Sequence, residues 1–169
     1  IRDRKLLITY SSKTGNTKRL AEGIYKNIQL ENVDLKAISE VEDLNAYDTL
    51  LVGYWVDKGG PNDEAAEFMK GIEGKRVGIF ATLGAYPDSQ HGWDSLLRGE
   101  DLVKEKNTIL GKYICQGAVD ERLIEVFKKF EPGNPHAITP EKLKRYEIAK
   151  QHPNEADMLS AAIMFRERI

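Results

Sequence analysis

The chain has 169 residues, of which 41% are hydrophobic, 31% charged and 8% aromatic. That length suits one domain over residues 1–169, able to bury ~70% of its unfolded surface without disulfides or metal, and the unbiased composition excludes a disordered, collagen-like or mucin-like chain. With 25 basic and 27 acidic side chains the formal charge is −2, which leaves no electrostatic footprint for nucleic acid.

Residues 5–10, Lys-Leu-Leu-Ile-Thr-Tyr, form a continuous apolar run behind a charged entry, as expected of a strand buried on both faces. Over residues 17–28, Leu20, Ala21, Ile24 and Ile28 make one helical stripe. Residues 33–37 alternate like an edge strand. Residues 47–54 hold a second buried strand, and 62–70 predict a helix with Asn62 as its N-cap. Residues 76–82 read as a third buried strand, 89–106 as a helix, 108–116 as a strand and 120–130 as a helix. A break at Glu131-Pro132-Gly133-Asn134-Pro135 precedes Thr139-Pro140-Glu141, a cap, first-turn proline and acid that open another helix. The last helix starts at Asn154 and carries Met158, Leu159, Ala162, Ile163 and Phe165.

The lone cysteine, Cys115, excludes an internal disulfide and any four-cysteine metal or iron–sulfur site. It argues for a reducing compartment. No apolar run is long enough to span a bilayer and no signal peptide opens the sequence, so the expected location is the cytoplasm.

Strand and helix in alternation predict an α/β fold with a parallel sheet and helices on both faces. Ligands of such sheets bind beyond the carboxyl ends of the strands. Three loops are therefore expected to carry the function: residues 11–17, 54–61 and 83–93. In the first, Ser11-Ser12-Lys13-Thr14-Gly15-Asn16-Thr17 leads into a helix N-terminus, where free amides and the helix dipole attract an anion. Gly15 allows close approach, Ser12, Thr14 and Thr17 offer hydroxyls and Asn16 an amide, more than capping alone needs. Neither the Gly-x-x-x-x-Gly-Lys loop of nucleoside triphosphate sites nor the Gly-x-Gly-x-x-Gly of dinucleotide sites is present. A single terminal phosphate held by mostly neutral donors is the expected ligand group.

The segment Thr9-Tyr10-Ser11-Ser12-Lys13-Thr14-Gly15-Asn16-Thr17 resembles the phosphate-binding signature of flavodoxins, Ser/Thr-x-Thr-Gly-x-Thr after the first strand. Length and rhythm agree along the whole chain. Leu83 to Ser89, Pro140-Glu141 and His152-Pro153-Asn154 resemble a group of short, flavodoxin-like bacterial proteins. The resemblance implies a flavodoxin-like three-layer sandwich with a five-stranded parallel sheet in order 2-1-3-4-5. It also implies non-covalent FMN, bound by Ser11, Ser12, Lys13, Thr14, Gly15, Asn16 and Thr17 at the phosphate. Trp55 matches the residue that stacks on the flavin, with Tyr54, Val56, Asp57, Lys58 and Gly59 around it. Thr82, Leu83 and Gly84 would bind the pyrimidine edge, Tyr86 would stack on the second face, and Asp88 would cap the next helix or bind the ring edge. His91 is expected on an exposed helix face and Trp93 packed within that helix.

Two departures from the family pattern stand out. Flavodoxins often place a glycine directly after the stacking residue, where its peptide flips towards reduced N5; here Val56 follows Trp55, and a β-branched residue resists positive φ. The flip would then fall at Gly59 or Gly60, or the one-electron-reduced state would be less favoured. Lys58 adds a cation that favours the anionic, fully reduced ring.

The resemblance implies an electron carrier between a reductase and an acceptor enzyme. No nucleophile with a base, proton-transfer pair or metal cluster is expected. A monomer is expected, without membrane or nucleic acid partners. The competing reading is an FMN-dependent, quinone reductase-like oxidoreductase with its own NAD(P)H activity. Carrier flavodoxins are commonly acidic, so a net −2 points to docking through shape and a local patch more than through net charge.

Overall fold

The structure, a computed structural model, describes residues 5–169; the first four residues of the expected 1–169 domain lie outside the described part. Chain order begins with β1 (Leu6–Tyr10), α1 (Asn16–Asn27), β2 (Val33–Ala37), β3 (Thr49–Asp57), β4 (Gly60–Pro61) and α2 (Asp63–Lys70). It continues with β5 (Arg76–Leu83), α3 (Gln90–Asp101), β6 (Thr108–Gln116), α4 (Glu121–Phe127), α5 (Pro140–Ala149) and α6 (Glu155–Arg168). The sheet order is β2-β1-β3-β5-β6, all parallel, with β4 paired antiparallel to the end of β3. Without β4 this is the expected 2-1-3-4-5 order.

The expected five parallel strands are all present, and the short antiparallel β4 is an addition to them. The second buried strand does not end at Tyr54 but runs on to Asp57, and Val56 and Asp57 pair with Pro61 and Gly60. Between them Lys58 and Gly59 both take positive φ, 51° and 80°. Two successive positive-φ residues make the tight turn whose twist matches that of paired strands. Asparagine and glycine are the usual residues there, and Lys58 is the unusual one, so this hairpin is hard to read from the sequence.

Successive residues of the central strands feed opposite cores. Leu7, Leu50, Val52 and Ile79 pack with Met69 of α2 and Leu96 of α3. Ile8, Leu51 and Phe80 pack with Leu20 and Ile24 of α1 and Phe165 of α6. The continuous apolar runs follow from this, because both faces of the sheet are covered.

Helix ends differ from expectation where side chains or tighter turns intervene. The helix expected over 89–106 stops at Asp101; Leu102 and Val103 bond three residues back, and Asn107 Nδ2 donates to the Val103 and Ile72 carbonyls at 2.9 and 2.8 Å. The helix expected to Phe130 stops at Phe127, with the next turns again tightened to three-residue bonds. Thr139 and Asn154 cap α5 and α6 as expected.

Burial sets an alkaline limit on this fold. It is the largest cause pushing up the Cys115 thiol and the Tyr54 and Tyr113 phenols. Tyr47 is pushed up to about 12 by burial and by its 2.5 Å hydrogen bond to Asp34. Groups whose folded pKa is raised hold their stabilising effect below the unfolded value and lose it as the pH climbs through the folded one. Melting temperature is therefore expected to start falling near pH 9, where the unfolded thiol ionises, and faster above pH 10, where unfolded tyrosines do. A melting temperature unchanged to pH 11 would contradict this.

Candidate functional site

The loop after β1 turns into α1 through Gly15, whose φ of 98° places it in the left-handed region. Any other residue there would be strained. No side chain caps α1 and its first turn holds no acid. By contrast, α3, α4, α5 and α6 are capped by Ser89, Asp120, Thr139 and Asn154. An uncapped N-terminus with unspent amides is suited to an anion. The loop's own hydrogen bonds shape it: the Ser12 hydroxyl accepts from the Gly15 amide at 3.2 Å, and Asn16 Nδ2 donates to the Ala118 carbonyl at 2.9 Å. The buried Thr17 hydroxyl meets that of Thr82 at 2.9 Å and ties α1 to β5.

Ser11 does not share in this. It is buried, donates its hydroxyl to Glu64 Oε1 at 2.6 Å and accepts from Asn62 Nδ2 at 2.7 Å. Its expected anion role is corrected: the hydroxyl is spent between β1 and α2. Asn62 in turn accepts the Trp55 amide at Oδ1, 3.3 Å, so its side chain fixes the β3 end instead of capping α2.

A cavity of about 740 Å³ opens at the carboxyl ends of β1, β3, β5 and β6. Lys13, Thr14 and Asn16 line it from the first loop, Trp55, Val56 and Asp57 from the end of β3, and Thr82, Leu83 and Gly84 from the end of β5. Lys13 Nζ lies 5.6 Å from the centre of the Trp55 ring, joining the first two walls. This volume is within the range of small-molecule sites, and apolar walls with a few polar groups are their usual lining.

A fourth wall was missed by sequence reasoning: Gly117, Ala118 and Val119 after β6, then Asp120, Arg122, Leu123 and Val126 of the cap and α4. The expected loops followed only the three most apolar strands. Because β6 is also parallel, its carboxyl end opens on the same edge, and residues 117–120 could have been found by that rule. On this wall Arg122 donates to Asp120 at 2.8 Å, and this bond, with the Arg122 amide, holds the Asp120 carboxyl below its ordinary pKa.

Several expected residues lie elsewhere. Tyr54 is fully buried beside α3 and donates its hydroxyl to the Ser95 carbonyl at 3.1 Å, so its ring belongs to the core. Lys58 and Gly59 form the hairpin turn and do not line the cavity, and the Gly59 carbonyl accepts from Arg98 at 2.9 Å. Tyr86 and Asp88 are exposed outside the lining. Ser89, not Asp88, caps α3. His91 is exposed as expected, whereas Trp93 is also exposed, under the Lys112 ammonium at 5.7 Å.

Among the described residues no group of His, Cys, Asp and Glu could hold a metal ion, and no helix is long and apolar enough to cross a membrane.

Residues 7–166 match the family described as the flavodoxin domain. The flavodoxin-like domain-containing protein BilS of Clostridioides difficile is 35% identical over 166 residues, covering 94% of this chain and 93% of that protein. Oxidised flavodoxin 2 from Bacillus cereus superposes with a TM-score of 0.61 at 21% identity, over 98% of this chain and 99% of its own. A flavoprotein from Lactobacillus acidophilus, solved in complex with FMN, superposes with a TM-score of 0.53 at 18% identity, over 75% of this chain and all of its own. Strand order and these relatives agree, and the chain belongs to the flavodoxin family.

Proposed function

We propose that the protein binds FMN non-covalently in this cavity and carries electrons between a reductase and an acceptor enzyme. The observation that carries the reading is the uncapped α1 N-terminus, with no acidic residue in its first turn, opening into a cavity whose other walls include Trp55, Leu83 and Val119. A charged phosphate at one end and a flat apolar ring at the other match that division. FMN as cofactor is also supported by the family and by the FMN-bound flavoprotein of the same fold.

In this reading the first-turn amides of α1, with Ser12, Thr14 and Asn16, hold the phosphate. Trp55, fixed through its amide and carbonyl by Asn62, presents a flat face to the ring. Thr82, Leu83 and Gly84 offer backbone groups to its polar edge. When bound, FMN supplies the redox chemistry, and the protein supplies binding, orientation and electrostatics. The protein acts as a monomer in the bacterial cytoplasm and takes electrons from a separate reductase. Purified protein is therefore expected to pass electrons to cytochrome c only when an NADPH-dependent flavodoxin reductase is added. Steady NADPH-to-quinone turnover by the protein alone would contradict the carrier reading and favour an oxidoreductase.

The hairpin bears on the potentials. Val56 is locked in strand pairing, and the Gly59 carbonyl is already held by Arg98, so reorienting the turn towards the ring costs an existing hydrogen bond. The two one-electron potentials are expected to lie close together, and Arg98→Ala to move them apart. Two widely separated potentials in the unaltered protein, measured by redox titration, would contradict this.

A further inference from the structure

The cavity has an aromatic wall on one side only. Trp55 stands at the end of β3, but Tyr86, the residue expected to cover the opposite face, is 41% exposed and takes no part in the lining. Its carbonyl is tied into the cap of α3, accepting from the Ser89 hydroxyl at 2.6 Å and the Ser89 amide at 3.2 Å.

The lining instead continues onto α4. Leu123 and Val126 are three residues apart, which puts them on one face of the helix. Both line the cavity, and each is 46% exposed. Within α4, Ile124 is the residue buried in the body of the protein. Leu123 and Val126 are therefore apolar groups held out of the core and presented to a cavity, the usual mark of a ligand face. This wall is also coupled to the anion loop. The segment that carries α4 is anchored by the 2.9 Å bond from Asn16 Nδ2 to the Ala118 carbonyl, and Ala118 donates its amide to the His152 carbonyl at 3.2 Å.

We propose that Leu123 and Val126 cover the face of the isoalloxazine ring opposite Trp55, in the place expected for Tyr86. The inference rests on the FMN reading. It commits to the ring as occupant because the same cavity holds Thr14 and Asn16 at its phosphate end and Trp55 along its side. The α4 wall excludes water from the ring and supplies dispersion contacts without an aromatic stack.

The test is FMN titration of the protein, stripped of flavin, followed by flavin fluorescence and visible absorbance. Leu123→Ala is expected to weaken binding about tenfold and Val126→Ala several-fold. Leu123→Met, which keeps apolar volume, is expected to bind within about twofold of the unaltered chain. Tyr86→Ala is expected to stay within about twofold as well. Both positions on α4 are half in solvent, so the variants are expected to fold, which circular dichroism checks. FMN affinity unchanged within about twofold in both α4 alanine variants overturns the proposal while leaving FMN binding in place. An unaltered chain that takes up no FMN overturns the FMN reading itself, and the proposal with it.

Discussion

Thr14→Asp is expected to abolish retention of FMN through purification and to weaken its binding by a hundredfold or more. Thr14 lines the cavity beside the uncapped end of α1 and is exposed, so the change costs the fold little. It puts a carboxylate where the phosphate is to sit. Two unit charges 4 Å apart repel by about 4 kcal/mol at the effective dielectric of a protein surface, well over the ~2.7 kcal/mol that a hundredfold loss represents. Thr14→Ala removes only a donor and is expected to cost about 1 kcal/mol. The gap between the two variants identifies an anion and not merely a polar ligand. Fluorescence titration with FMN measures both. Equal affinities for the aspartate and alanine variants would place the phosphate elsewhere.

Phe165→Ala is expected to be the most damaging single truncation in the core, at about 3–5 kcal/mol. The ring is fully buried where α6 crosses the sheet. Packing there is tight enough that a Cβ on Gly78 would come within 2.7 Å of the Phe165 ring and 2.6 Å of Leu51. A cavity left at that point cannot be closed by glycine, and the rigid β5 strand does not collapse into it. For a domain of this size the melting temperature should fall by roughly 10 °C. Thermal and urea unfolding measure it; a loss below about 1 kcal/mol would show that α6 is not integral to the core. The Cys115 thiol in the same core stays protonated in the folded state, which adds to the alkaline sensitivity described above.

Much of the fold was legible because its cause is local. Strands such as Leu6 to Tyr10 and Arg76 to Leu83 are covered on both faces, so their apolar runs are uninterrupted, and helices begin at residues such as Thr139 and Asn154 whose side chains cap them. Less legible were features set by distant partners. Asn62 is a good N-cap in sequence terms, yet its side chain is drawn to Trp55 and Ser11 across the loop. Ser11 belongs to the signature stretch but is consumed by Glu64, 53 positions away. Tyr54 and Trp55 are adjacent aromatics, and strand alternation sends the first into the core and leaves the second at the cavity. The α4 wall was invisible for another reason: its apolar residues read equally as core, and only their position over the cavity shows otherwise.

The most direct test of the account is the visible spectrum of the purified, unaltered protein before and after denaturation. A yellow protein with flavin absorbance, which releases one FMN per chain on unfolding and takes it up again on refolding, is the predicted result. A colourless chain that fails to bind added FMN would contradict it.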